Sequence, residues 1–407
     1  MKPKKFQPQT PLAWAQLSHQ KMRLAVATTG VCFANILMFT QVGLLSMLTE
    51  GTTKLHESLS GDLLLVSTLS PTIRWGIPFP RAAIYKAAAI DGIDSVSPVY
   101  IARDNWVNPT EFARQKNLAT SSPGRKRQRN FGNRVRIIAF NPAQPPVFDL
   151  PQVNNQLAKL TSPDAVLFDR LSQPSLGEVP QMLTTQEEVT TLMGNRRTYV
   201  VGLFKMGSTL FANGNIIMSD WNYAKRKGQS SLDQVTIGVI SVDEGVNIKK
   251  VQAQLRANIP KEIGVFTHEE LMQREQMFDA SEPNGVILRF GTIVGFIVGI
   301  IIVYQVLYSD INDHLSEYAT LKAMGYGDKS LLVVVIQEAI ILGVMGFIPG
   351  FIASVGLYQL LFMLTRIPIA MKVSIALQVF ILTLVMSIVS GAIATNKLRS
   401  ADPADVF

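Results

Sequence analysis

Four stretches of the 407-residue chain are almost free of charge: Leu24 to Leu48, Phe290 to Tyr308, Leu331 to Thr365 and Val373 to Thr395. Each reaches the length of about twenty apolar residues that a helix needs to cross a bilayer. Residues 49–289, between the first and the second, have a different texture. Short runs rich in β-branched residues predict strands at "DLLLVS" (62–67), "VSPVYIA" (96–102), "RVRIIAF" (134–140), "AVLFD" (165–169), "TYVVGLF" (198–204) and "QVTIGVI" (234–240). Helical spacing marks "PRAAIYKAAAID", "VNIKKVQAQLRANI" and "THEELMQREQMFDAS", the last opening on Thr267 and Glu270 as a capping box. The pattern predicts a membrane protein of four transmembrane helices, with a large α+β extracytoplasmic domain inserted between helices 1 and 2.

Charge sets the orientation. Lys2, Lys4, Lys5, Lys21 and Arg23 precede the first span with no acidic residue among them, which places the N-terminus in the cytoplasm. That span is too long for a signal-peptide core, and "LLSMLTEGTTK" offers no small-x-small cleavage site, so it reads as an uncleaved anchor. Threading from there puts residues 1–23 inside and 24–48 in the membrane, with 49–289 in the periplasm. Residues 290–308 form the second span, 309–330 a cytoplasmic segment, 331–365 the third span and 366–372 a short periplasmic turn. Residues 373–395 return through the membrane and leave the tail 396–407 in the cytoplasm. In the first segment, "TPLAWAQLSHQKMR" reads either as an interfacial helix or as a cytoplasmic extension of span one.

Some positions inside the spans stand out. Gly291, Gly295 and Gly299 form a doubled GxxxG ridge, suited to helix packing within the four-helix unit, to a homodimer seam or to a ligand pocket. Gly346, Pro349 and Gly350 predict a kink in span three. Glu338 reads as a carboxylate reaching the cytoplasmic interface or as a contact holding the polar segment; a proton relay would need a second buried ionisable residue.

Composition adds that 47% of residues are hydrophobic and 17% charged, as a membrane protein with a sizeable soluble part should be. The single cysteine, Cys32, allows no disulfide framework within one chain. The net charge of +8 includes "SSPGRKRQRNFGNRVR", with Arg125, Lys126, Arg127, Arg129, Arg134 and Arg136. A periplasmic location argues against nucleic acid. A solvated loop with an exposed basic face is the plain reading, and contact with anionic headgroups, polysaccharide or an acidic partner is the alternative.

Catalytic patterns do not assemble. The four histidines make no HExxH, and "GYGDKS" lacks the GxxxxGK[ST] spacing of a phosphate loop. There is no GxSxG elbow. The expectation is a chain with no catalytic residues, no metal site and no cofactor of its own.

The polar segment after span two, "HLSEYATLKAMGYGDKSLLVVVIQEA", resembles the signature of FtsX/MacB-type ABC transporter permeases, E-x-A-x-L-[KR]-A-x-G followed by an acidic residue in span three, here Glu338. "GFIVGIIIVYQVLYSDINDHLSEYATLKAMGY", "GFIPGF", "LRSADPADVF", "TPLAWAQL" and "FDLPQVNNQLAKL" are similar to the cyanobacterial DevC branch in particular. The resemblance implies a homodimeric inner-membrane permease with both termini cytoplasmic, working with a DevA-like dimer of ATPase subunits that hold the ATP and Mg. It also implies a periplasmic DevB-like membrane fusion protein, hexameric, and a TolC-like outer-membrane channel. The function implied is ATP-driven export of a glycolipid or other amphiphile by a tripartite system; the alternative is an FtsX-like signalling subunit that activates a cell-wall hydrolase. On this resemblance Asp310, Asp313, His314, Glu317, Tyr318, Thr320, Lys322 and Met324 sit on a helical lever from span two that docks on the ATPases. Gly325 and Tyr326 make the turn that reverses the chain, and Glu338 follows.

Overall fold

The computed structural model describes residues 21–114, 133–209, 211–317, 320, 324, 328–365 and 369–400. The predicted N-terminal interfacial helix lies outside them. The chain divides into two compact units: an inserted unit of Ser46–Glu282 with Leu361–Pro368, and a membrane unit of Met1–Leu45, Pro283–Leu360 and Ile369–Phe407.

Helix α1 (Lys21–Ser58) continues past the predicted end of span one through the polar "EGTTKLHES". Its last turns are held in place by Leu55 and Leu59, which are buried in the inserted unit. There follow β1 (Leu63–Ser67), β2 (Phe79–Pro80), α2 (Ala82–Ala88), β3 (Ile93–Asn105), β4 (Arg134–Phe140), α3 (Pro151–Asn154), β5 (Ala165–Asp169), α4 (Val179–Thr185), β6 (Val189–Met193) and β7 (Arg196–Phe204). The unit closes with β8 (Gly214–Ser219), α5 (Asp220–Lys227), β9 (Gln234–Val235), β10 (Ile237–Val242), α6 (Ile248–Asn258), β11 (Ile263–Phe266) and α7 (His268–Ser281).

Nine strands form one mixed sheet in the order β11-β1-β10-β3-β4-β8-β5-β7-β6. The pairs β4/β8 and β5/β7 are parallel, and the other pairs are antiparallel. Alternation along each strand feeds two cores, one on either face. On β4, Val135, Ile137 and Ala139 join Ala83, Ile84 and Ala87 of α2 and Val251 and Leu255 of α6. Ile138 and Phe140 join Leu55 and Leu59, Phe148, Val153 and Leu271 of α7 on the other face.

The predicted strand 234–240 is two strands. It divides at Thr236, β9 pairing with β2 in a separate ribbon and β10 entering the main sheet. At the break, the Thr236 hydroxyl accepts the Ile101 N–H at 3.0 Å, replacing a ladder bond with a side-chain one. The capping box is present: Thr267 accepts the Glu270 N–H, and the Glu270 carboxylate accepts the Thr267 N–H at 3.1 Å. Strands β6, β8 and β11 were not predicted; "VTTLM" and "GNIIMS" carry polar residues that their sheet neighbours cover.

In the membrane unit, α8 (Pro283–Asp313), α9 (Asp328–Thr365) and α10 (Val373–Ser400) join α1. All four helices are long and apolar enough to span a bilayer. Pro349 lies within α9 without interrupting it. The glycines beside it face α1: a Cβ built on Gly346 would stand 2.5 Å from Val31 Cβ, and one on Gly350 2.9 Å from Asn35 Cβ. The "GFIPGF" motif thus lets two backbones approach closely. On α1, a Cβ at Gly43 would fall 1.8 Å from the Tyr358 hydroxyl, which donates to the Phe39 carbonyl at 2.5 Å.

Gly43→Val should therefore expel Tyr358 and sharply reduce recovery of monodisperse protein on size exclusion in detergent. Gly356→Val, at a position with nothing within 4 Å of a built Cβ, should leave recovery unchanged. Equal recovery of the two variants would refute this packing.

Candidate functional site

The polar segment after span two is partly described. Helix α8 carries straight on to Asp313, beyond the predicted end of the span at Tyr308. His314 then makes a turn, and residues 315–317 resume as helix. The His314 N–H and ring Nδ1 both lie 3.1 Å from the Asp310 carbonyl, and Nδ1 is 3.7 Å from an Asp310 carboxylate oxygen. The His314 N–H thus keeps the i→i−4 spacing of a helix across this turn. Asp310 is buried, His314 half-buried, and Asp313, Glu317, Thr320 and Met324 are exposed. Met324 is 64% exposed. Tyr318, Lys322, Gly325 and Tyr326 fall outside the described residues, as do Arg125, Lys126, Arg127 and Arg129. Glu338 is fully buried within α9.

The glycine ridge of α8 meets other helices of the same chain. Built Cβ atoms would approach Gln41 at 2.5 Å from Gly291, Met38 at 3.2 Å from Gly295, and Met386 at 2.3 Å from Gly299. Polar side chains add directed contacts: the Thr383 hydroxyl donates to Asn35 Oδ1, and the Ser390 hydroxyl to the Ile300 carbonyl at 2.9 Å.

The inserted unit holds a cluster that the sequence reading missed, where the end of α1 meets α7. His56 and Glu275 are both fully buried, and His56 Nε2 donates to Glu275 Oε2 at 2.8 Å. The other oxygen of Glu275 accepts the Ile73 N–H. One turn along α7, Asp279 pairs with Arg74 at 3.2 Å, and Arg74 also reaches Glu282 at 3.0 Å. The Arg74 guanidinium stacks on the Phe211 ring, 3.9 Å from its centroid. His268, at the start of α7, places both ring nitrogens 3.0 Å from carbonyl oxygens, those of His56 and Gly61. The sequence held one signal, the i, i+4 spacing of Glu275 and Asp279 on a single helix face. Their distant partners carried no local mark.

A second buried set lies in the sheet. The basic reading of residues 125–136 needs correcting at its end: Arg134 is exposed, but Arg136 points into the domain and is 8% exposed. It donates to Asn215 Oδ1 at 2.8 Å, and Asn215 in turn donates to Asp169 Oδ2 at 2.6 Å. Asp169 also accepts the N–H groups of Leu171, Met206 and Gly207. Strand alternation explains the inward turn, since β4 directs even-numbered residues to the face that carries Ile138 and Phe140. Burial pulls the Arg136 pKa down to about 10, with Asp169 opposing the shift. A base with a depressed folded pKa gains folding stability only as pH rises through that value toward its unfolded one, so at neutral pH Arg136 is charged and its burial is offset by Asn215 and by the negative charge of Asp169. No cluster of metal-binding side chains occurs among the described residues.

Asp169→Asn weakens the acceptor that holds Asn215 and the N–H groups of Leu171, Met206 and Gly207, and should cost about 1–3 kcal/mol, as a buried donor left unsatisfied does. The thermal midpoint of the full chain should fall, and pairing with Arg136→Met should restore part of it. A midpoint that does not move would refute this buried network.

Residues 289–403 match the family described as FtsX-like permease C-terminal. No curated protein matches. Among solved structures, the periplasmic region of MacB from Actinobacillus actinomycetemcomitans aligns at 10% identity and a TM-score of 0.31, covering 53% of this chain and 93% of that one. The extracellular domain of the noncanonic ABC-type transporter YknZ from Gram-positive bacteria aligns at 13% identity and a TM-score of 0.30, covering 51% and 100%. Residues 289–403, which hold the last three of the four apolar helices, are thus similar to an FtsX-like permease C-terminal domain.

Proposed function

We propose that this chain is the permease of a tripartite exporter of the DevC type, which converts ATP-driven closure of a cytoplasmic ATPase pair into movement of its periplasmic domain and so drives out a glycolipid or other amphiphile. In this reading two copies of the chain sit in the inner membrane of a cyanobacterium, with a DevA-like ATPase dimer inside. A hexameric DevB-like adaptor and a TolC-like channel stand outside.

The observation that carries the reading is the buried tie between the two polypeptide segments that adjoin spans one and two. His56 lies on the helix that continues from the first span, and Glu275 and Asp279 lie on α7, which leads through Glu282 into α8. Breaking the buried hydrogen bond between His56 and Glu275 would leave polar groups unsatisfied at about 1–3 kcal/mol each, so these segments move together rather than slide. Transmission needs such stiffness, while a purely solvated domain would not. On the cytoplasmic side, exposed Met324 beside Glu317 and Thr320 suits docking into a groove of the ATPase.

Mild-detergent purification of the tagged chain should bring down an ATPase and an adaptor together. An ATPase accompanied by a cell-wall hydrolase would instead favour an FtsX-like signalling role, and absence of any ATPase would remove both. In the assembled complex, Met324→Asp and Tyr318→Asp should abolish stimulated ATP hydrolysis while membrane insertion persists. Glu275→Gln should leave the ATPase bound but reduce export at least several-fold. Undiminished export in all three variants would overturn the coupling assignment.

A further inference from the structure

The nine-stranded sheet of the inserted unit ends on one side at β11 and on the other at β6. The β11 edge is covered, because the Val265 carbonyl accepts from Gln252 at 3.2 Å and from Arg256 at 2.8 Å, both on α6. At β6 only half of the edge is covered. Val107 donates its N–H to the Leu192 carbonyl at 2.9 Å, and Gly194 donates its own to the Asn105 carbonyl at 2.7 Å. Trp106 and Met193 form an antiparallel bridge between these two bonds. The chain then leaves the edge, as residues 109–114 turn helical.

Successive backbone groups of an antiparallel strand point to alternate sides. Leu192 and Gly194 point outward, so Thr190 does too. Its opposite number on β7, Tyr199, agrees: the Tyr199 N–H donates to the Asp164 carbonyl at 3.0 Å, away from β6. The Thr190 N–H and C=O therefore project from the sheet and have no partner among the described residues. An edge left open in this way is a template for another strand.

The open edge borders a groove of about 430 Å³. Pro109 and Phe112, Met182 of α4 and Val189 of β6 supply its apolar surface. Glu188 and Arg197 also line it, and both are exposed with no ion-pair partner among the described residues. Arg197 lies opposite Leu192 and so shares a face with Glu188, roughly 13 Å along the strand at about 3.3 Å per residue. The hairpin that carries Arg197 is held from behind. Arg226 donates to the Met193 and Arg197 carbonyls at 3.1 and 3.2 Å and to the Thr198 hydroxyl at 2.7 Å.

We propose that β6 and this groove receive an extended segment of a partner protein. The segment adds a short strand at Thr190, places an apolar side chain against Phe112 and Met182, and sets a basic residue on Glu188 and an acidic one on Arg197. The outward N–H and C=O call for a second polypeptide backbone, since in strand addition main-chain bonds give affinity and the flanking pocket gives specificity. The opposed charges disfavour a polyanion or an anionic membrane, either of which Glu188 would repel. This docking goes beyond the export reading and does not depend on it.

The full chain in phosphatidylcholine nanodiscs can be panned against a phage-displayed library of random peptides. Enriched peptides should carry a basic and an acidic residue on either side of an apolar one, and synthetic copies should bind saturably by fluorescence anisotropy. Thr190→Pro removes an outward-facing N–H, which an edge strand tolerates, and should weaken that binding at least about tenfold. Exchanging the rim charges, Glu188→Lys with Arg197→Glu, should reverse the charge order that the peptides prefer. Both positions are exposed, so the exchange decides the matter even where Thr190→Pro disturbs folding. Enrichment no greater than on empty nanodiscs, or peptides indifferent to both changes, would overturn the site. Self-association of the chain in place of peptide binding, abolished by Thr190→Pro, would make the edge a contact between copies and would likewise reject a partner segment.

Discussion

Inside a bilayer no water is at hand for peptide N–H and C=O groups, so each crossing must satisfy its own backbone as an unbroken helix. The rest of this molecule follows from that constraint. A helix that cannot bend freely transmits force along its length, and what it transmits depends on what holds its two ends. In this chain the ends are where the unusual side chains collect: Asp310, His314 and Met324 after span two, and His56, Glu275 and Asp279 beside the segments that adjoin spans one and two. Within the membrane unit, tight contact comes from removing side chains, at Gly43, Gly299, Gly346 and Gly350, because helices in lipid gain little from hydrophobic burial against each other.

The buried charges of the inserted unit fit the same logic. Packed hydrophobic residues in their place would often be as stable or more so, so such pairs are poor evidence of stability as such. Their geometric strictness is what distinguishes them. Glu275 accepts from His56 on one side and from the Ile73 backbone on the other, and Arg74 spans Asp279 and Glu282 while lying on Phe211. The contact of His56 with Glu275 ties the end of α1 to α7 within that unit. The Asp169, Asn215 and Arg136 set does similar work between strands.

Much of the architecture was legible in the sequence because its signals are local and periodic. Long uncharged runs mark spans, two-residue alternation marks strands, and Thr267 with Glu270 marks a helix start through a contact three residues long. Alternation over 234–240 predicts a single strand because it cannot show that Thr236 bonds to Ile101 across the sheet. Arg136 looks like part of the basic run it adjoins, since linear charge density says nothing about the face to which a strand directs a side chain.

By itself, the sequence determined the number of spans, the insertion of an α+β domain between the first two, and the polar segment whose motif resembles a permease signature. Each depends on neighbours within a turn or two, or on composition summed over some twenty residues. Only the tertiary structure decided that Gly291, Gly295 and Gly299 meet α1 and α10 of the same chain, that His56 finds Glu275, and that Arg136 turns inward toward Asn215. Those pairings link residues far apart along the chain. Their geometry arises from sheet order and helix packing, which no local pattern encodes.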